Sequence, residues 1–131
     1  ILAAAVADYR PAQVAPQKLK RTGGNLVVEL VENPDISAGL GPTKQAHQLL
    51  IGFAMETEEG LARAREKLKR KNCDLVVLND LHEEGAGFAV DTNVVTLIDA
   101  KGPEQRLPKM SKSQVADRIL DWLVERRRDR R

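Results

Sequence analysis

A chain of 131 residues can build one α/β domain with its own core, but not two. With 42% hydrophobic and 31% charged residues it is neither disordered nor fibrous, and no apolar run reaches the roughly 18 residues of a membrane span. A net charge of +2 is too small to argue for nucleic acid, and a single cysteine excludes an internal disulfide and a cysteine metal cluster.

The first predicted element is a strand over residues 1–6, apolar throughout as in a strand covered on both faces, with no basic leader of the signal-peptide kind. Residues 8–20 read as a loop, because Pro11 and Pro16 exclude regular structure. Gly23-Gly24 then turns the chain into a β-branched strand over 26–31. Asn33 and Pro34 read as the N-cap and first residue of a short helix that Gly39, Gly41 and Pro42 stop.

A further strand is predicted over 49–54. Thr57 reads as the cap of the next helix, with Glu58 and Glu59 in a first turn whose dipole favours acids. Leu61, Ala64 and Leu68 make its apolar stripe, and Lys67, Lys69, Arg70 and Lys71 crowd its last turns. Cys73, at the entrance to a short strand over 74–78, reads as a reduced structural residue. That strand ends at Asn79-Asp80, and another spans 94–98. Lys101-Gly102-Pro103 turns into a short partner strand over 104–108. Ser111 or Ser113 caps the last helix, in which Val115, Ile119, Trp122 and Leu123 face the core. The tail from Arg126, five arginines around Asp129, reads as a solvated, frayed helix end rather than a nucleic-acid or membrane contact.

Strands separated by helical crossovers predict a single α/β domain over 1–131, with a mainly parallel sheet and helices on both faces. Ligands of such sheets bind outside the carboxyl ends of the strands, so the junctions carry the chemistry. At the first junction the small residues Ala3, Ala4 and Ala5 allow a close approach. Asp8 follows them and suits Mg²⁺ held partly by phosphates, or equally a turn in which it pairs with Arg10. Lys18, Lys20 and Arg21, on a loop ended by glycines, suit a polyphosphate or simply solvent. Asn33, Pro34, Asp35 and Ile36 stand at a helix N-terminus, where free N–H groups accept an anion unless Asp35 takes them first. Gly52, Phe53 and Glu56 end a strand, where Phe53 stacks on a base or packs in the core. Lys67 and Lys71 are like charges four apart on one helical face, a pairing that an anionic ligand would relieve. His47 and His82 read as surface residues. There is no Walker loop and no G-x-G-x-x-G, which disfavours a dinucleotide-binding oxidoreductase.

In order, AAAVADYRP, KLKR, NPDI, GFAMET and KLKRKNCDLVVLND, then GF and N-x-V between residues 87 and 95, resemble the ligase part of the phosphopantothenate–cysteine ligases of coenzyme A biosynthesis. The resemblance implies a Rossmann-like domain, a homodimer, a cytoplasmic location, and no nucleic-acid or membrane partner. It also implies a two-step reaction of CTP, 4'-phosphopantothenate and L-cysteine through an acyl-cytidylate. Carried over, Asp8 is the cation and nucleotide contact, and Lys18 neutralises charge in the first step. Ala3, Ala4 and Ala5 pack against substrate and nucleotide. Asn33, Pro34, Asp35 and Ile36 hold the cytidine end, and Phe53, Lys67 and Lys71 are further CTP contacts. Met55 departs from the alanine usual there. The chain also starts inside the family's domain, which implies as an alternative a CTP-binding module without turnover. FMN is implied only if a parent protein carries the flavin-dependent decarboxylase.

Overall fold

Four consecutive apolar residues, Leu75, Val76, Val77 and Leu78, are buried to 4% exposure or less, which requires a sheet covered on both faces. The computed structural model describes every residue except Thr22, Thr57, Glu58, 81–89 and Arg131, with backbone alone at Asp80. In chain order its elements are β1 (Tyr9–Pro11), β2 (Leu30–Glu32), α1 (Ile36–Thr43), β3 (Ile51–Glu56), α2 (Gly60–Arg70), β4 (Leu75–Asp80), β5 (Thr92–Asn93), β6 (Val95–Asp99), β7 (Gln105–Arg106), β8 (Met110–Ser111) and α3 (Lys112–Arg128).

The central sheet runs β3-β4-β6-β7. Its side chains alternate strictly between two cores. Ile51, Leu75, Val77, Val95 and Leu97 lie under Val115 and Ile119 of α3. Leu50, Ala54, Val76, Leu78 and Ile98 lie under Ala64 of α2. The expected α/β class, with helices on both faces, is therefore what forms. Among the described residues parallel pairing is confined to β3–β4 and to a single bridge from Leu2 to Gly52, while β4–β6 and β6–β7 are antiparallel. The link from Asp99 to Gln105 is too short for a parallel crossover, which needs about a dozen residues.

Two expected strands are largely absent. Residues 1–6 were expected to be buried, yet Ile1 and Val6 are each 57% exposed and only Leu2 bridges to the sheet, because β3 offers a neighbour on one side alone. Over 26–31 only the end pairs, Leu30–Glu32 against Tyr9–Pro11, and Val27 is 90% exposed. This pair projects from the core as a two-stranded arm, so apolar content alone did not extend it. β1 itself falls where a loop was expected.

Helix boundaries also shift. α1 is capped by Asp35 rather than Asn33, and it runs through Pro42 to Thr43. Proline in a last turn forfeits only one amide bond. Of the expected cap of α2, Thr57 and Glu58 lie outside the described residues, and the N-cap is Glu59 at φ 53 without a side-chain bond. Leu61 is 43% exposed, so the buried stripe of α2 reduces to Ala64 with Leu68 packed beside it. Ser111 caps α3 through a full capping box with Gln114.

Two arginines of the tail, Arg126 and Arg130, are held rather than solvated, while Arg127 and Arg128 are exposed as expected. Arg126 pairs with Asp99, which also accepts from Trp122 Nε1 at 2.7 Å. Arg130 reaches back to Asp74 and to the carbonyl of Ala46. Asp74, 8% exposed, also accepts from Lys44 Nζ and the Leu50 amide, each at 2.7 Å. Burial alone would raise both carboxyls. It is outweighed at Asp74 by Lys44, the Leu50 amide and Arg130, and at Asp99 by the Lys101 amide, Arg126 and Trp122, so both lie below the ordinary carboxylate value. A lowered folded pKa means stability that is complete above the unfolded value of about 4 and is lost as pH falls through the folded ones. The unfolding temperature should therefore hold from pH 8 to 5 and fall progressively below about pH 4. Asp74→Asn should lower the plateau and flatten the acid limb, and thermal melts across pH check both.

Candidate functional site

The site begins with the way α1 starts. Asp35 Oδ1 accepts from the Ala38 amide at 3.0 Å and from Ser37 Oγ at 2.7 Å, which satisfies an otherwise free helix N–H. The same carboxylate holds Lys71, whose Nζ lies 2.9 Å from Oδ2 and donates to Oδ1 at 3.1 Å. Lys71 is the C-cap of α2, and only 11% of its side chain is exposed.

The two helices meet this closely because residue 41 has no side chain. A Cβ on Gly41 would sit 2.2 Å from the Lys71 carbonyl oxygen. Asn72 Nδ2 closes the contact by donating to the Gly41 carbonyl at 2.9 Å. One turn back along α2, Lys67 Nζ donates to the Phe53 carbonyl of β3 at 2.7 Å.

Asp35 with Lys71 and Phe53 with Lys67, spread over 37 positions, thus form two pairs one turn apart on α2. Hydrogen bonds from Lys71, then Ser37 and the Ala38 amide, hold the Asp35 carboxyl well below the usual carboxylate range. Burial, then the Lys71 charge, pulls the Lys67 ammonium below its ordinary value. Lys67 and Lys71 face Asp35 and, near Lys67, Glu56, which itself pairs with Arg63, so the three cations outnumber the two carboxylates. That imbalance suits an anion, and Asp35 explains how two like charges at i and i+4 coexist without one.

A second group gathers at the base of the arm. The Asn33 amide donates to the Asp8 carbonyl at 2.7 Å, and Asn33 Nδ2 donates to the Ala7 carbonyl at 2.8 Å. Arg10 donates to Asn33 Oδ1 at 3.0 Å and to the Glu32 carbonyl at 2.8 Å. Asp8 is thereby fixed beside the segment that leads to Asp35. Ala3, Ala4, Ala5, Pro34 and Ile36 are exposed along the same stretch. Lys18 stands on the exposed segment of the arm between β1 and β2, and among the described residues no hydrogen bond or ion pair joins it to either group.

Cys73 is buried, and burial pushes its thiol up, as befits a packing residue. His47 is exposed, and His82 lies outside the described residues. A cavity of about 590 Å³ opens elsewhere, lined by Leu40, Lys44, His47, Leu50, Leu123 and Arg127, and none of the expected site residues borders it. The Lys44–Asp74–Arg130 cluster beside it was missed from sequence, since nothing marks one arginine among five.

The model of the DNA/pantothenate metabolism flavoprotein C-terminal domain matches residues 1–126. The chain belongs to that family. Its members include the coenzyme A biosynthesis bifunctional protein CoaBC of Bacillus subtilis (strain 168), 45% identical over 124 residues, or 95% of this chain and 30% of that protein. The CoaBC of Vibrio cholerae is 40% identical over 127 residues, covering 95% of this chain and 32% of that one. A protein named cysteine/cysteine sulfinic acid decarboxylase, from an unknown prokaryotic organism, is 45% identical over 120 residues, 92% of this chain and 33% of that one.

Among solved structures, the C-terminal domain of CoaBC matches with a TM-score of 0.74 and 36% identity, over 96% of this chain and 53% of that one. A Cab2 variant in complex with phosphopantothenate-cysteine matches at 0.67 and 24% identity, over 98% and 43%, and attests the fold alone. The chain therefore spans about a third of the curated relatives' length and half of the solved CoaBC domain. In this chain the motifs NPDI and KLKRK, which carry much of the resemblance, are joined by the ion pair of Asp35 with Lys71.

Proposed function

We propose that this chain is the nucleotide-binding part of a CTP-dependent phosphopantothenate–cysteine ligase. The observation that carries the reading is the half-buried cationic group of Lys67 and Lys71, anchored by Asp35 against β3 at Phe53. In the first step a carboxylate oxygen of 4'-phosphopantothenate attacks the α-phosphorus of CTP, the bond to pyrophosphate breaks, and an acyl-cytidylate remains. In the second, the amine of L-cysteine attacks the acyl carbon, loses a proton, and CMP leaves.

The protein's part is positioning and charge neutralisation. Lys67 and Lys71 hold phosphate oxygens. Asn33, Pro34, Asp35 and Ile36 border the cytidine, Phe53 contributes its carbonyl to Lys67 while its ring packs against the α3-side core, and Ala3, Ala4 and Ala5 let the reacting groups lie close. Among the described residues no cluster of three or more acidic, cysteine or histidine side chains could cage a metal. A single carboxylate, Asp8, fits Mg²⁺ that arrives on the triphosphate, where the ion would neutralise phosphate charge. FMN belongs to this reading only where a longer protein carries the decarboxylase.

Homodimerisation is supported by the arm, on which Val14 and Val27 are each 90% exposed and Leu26 is 70% exposed. No helix among the described residues is long and apolar enough to cross a membrane, in keeping with the cytoplasmic location proposed here. A second reading is a CTP-binding module without turnover. Pyrophosphate release from CTP and phosphopantothenate, set against CTP binding alone, separates the two.

Lys18, on the arm, is taken as the group that closes over the nucleotide, a role that rests on the KLKR motif. In a longer protein that completes the reaction, Lys18→Ala should slow acyl-cytidylate formation about 100-fold while leaving CTP affinity within a few-fold. Single-turnover measurement of the intermediate checks this, and an unchanged rate removes Lys18 from the mechanism.

A further inference from the structure

Arg10, the middle residue of β1, is exposed, yet its guanidinium is engaged. Nη1 donates to Asn33 Oδ1 at 3.0 Å and to the Glu32 carbonyl at 2.8 Å. On its other side Asn33 donates through Nδ2 to the Ala7 carbonyl at 2.8 Å. A guanidinium only donates and a carbonyl only accepts, so these neighbours permit one orientation of the Asn33 amide. Arg10 is therefore not spent on Asp8, whose carboxylate has no side-chain partner among the described residues and stays open to a cation.

Asn33 is held at a third point by its backbone amide, which donates to the Asp8 carbonyl at 2.7 Å. Pro34 fixes its own φ and confines Asn33 to extended backbone. Asp35 comes next, the cap of α1 and the partner of Lys71. One stiff residue thus separates the fastened Asn33 from the carboxylate that anchors Lys71. The spacing between Asp8 and the Asp35–Lys71 pair is set through Asn33, and Arg10 holds its side-chain oxygen. The backbone pairing of Tyr9–Pro11 with Leu30–Glu32 does not need the Arg10 side chain.

We infer that Arg10 is a positioning residue for the nucleotide. By holding the Asn33 amide it sets how far the cation contact at Asp8 lies from the phosphate contact at Lys71, and so where a triphosphate and its Mg²⁺ sit together. Arg10 acts through Asn33 and touches no phosphate itself. The inference rests on the ligase reading proposed above.

The test is a double-mutant cycle in the chain itself, with Arg10→Met, Asn33→Ala and the two combined. CTP is titrated by calorimetry in the presence of Mg²⁺, and thermal unfolding is followed without ligand. Each single variant should bind CTP about 10-fold more weakly, because a small misplacement of a binding group is costly. The double variant should lose no more than about 2-fold beyond the worse single, since either change alone already frees the same amide. Arg10→Met should melt within about 2 °C of the wild type, as befits an exposed side chain outside the core. Should it not fold, Arg10→Leu is carried through the same cycle. Additive losses would mean that Arg10 meets the triphosphate by its own charge and would overturn the inference. So would unchanged CTP affinity in Arg10→Met, or a melting temperature lowered by more than about 5 °C, the mark of a residue that serves the fold. A wild-type chain that does not bind CTP would instead sink the ligase reading, and this inference with it.

Discussion

Lys71→Ala should weaken CTP binding roughly 100-fold, the largest loss expected from any one side chain of the site. Two effects add. The truncation removes a charge-assisted hydrogen bond to phosphate, and it strips Asp35 of the cation that lies 2.9 Å from its carboxylate. Asp35 would then face the triphosphate as an uncompensated negative charge. Lys69 is the control, an exposed cation on the same helix outside the buried pair, and Lys69→Ala should change affinity less than about 3-fold. Calorimetric titration at fixed ionic strength measures both. If the two substitutions weaken CTP equally, only general positive charge is at work and the buried pair has no special role.

Gly41→Ala should cost about 3 kcal/mol or more of folding stability. The added Cβ would lie 2.2 Å from the Lys71 carbonyl oxygen and 2.9 Å from its carbon, both backbone atoms at the end of a helix. Neither can swing aside as a flexible side chain does, so α1 must move away from α2. That movement breaks the Asn72 bond to Gly41 and draws Asp35 off Lys71. CTP affinity should fall with stability, even under conditions where the variant stays folded. Gly39 belongs to the same helix but has nothing within 4 Å of its would-be Cβ. Gly39→Ala should accordingly stabilise by about 0.5–1 kcal/mol through helix propensity. Urea midpoints of the two variants, moving in opposite directions, are the check. A mild effect of Gly41→Ala would mean that the α1–α2 contact is loose and does not set the site.

Local pattern was enough wherever one residue's fate depends on near neighbours. The run from Leu75 to Leu78 could only be a strand between two helical layers, and Val115 with Ile119 could only be a buried stripe. Ser111 and Gln114 are three apart, so their capping box was open to reading. Where the partner is distant in sequence, pattern failed. Arg130 and Asp74 are 56 positions apart, and an arginine held by a buried carboxylate looks in sequence like its solvated neighbours. Residues 26–31 have every mark of a strand, yet strands form by pairing, and only Leu30–Glu32 finds a partner in β1.

The site was legible in part for the same reason. Lys67 and Lys71 were marked by their spacing on one helical face. Asp35 was seen as a candidate, but its double duty as helix cap and counter-ion depends on Gly41 bringing two helices together. Asp8 and Lys18 rest on motif resemblance. The fold sets Asp8 beside Asn33 and leaves Lys18 out on the arm.

The most direct measurement is a crystal structure of the chain with CTP and Mg²⁺. The account predicts phosphate oxygens within hydrogen-bond distance of Lys67 and Lys71 Nζ, with the cytidine against Asn33 to Ile36 and the ion near Asp8. A triphosphate seated instead among Lys44, His47 and Arg127, in the cavity beside α3, would contradict it.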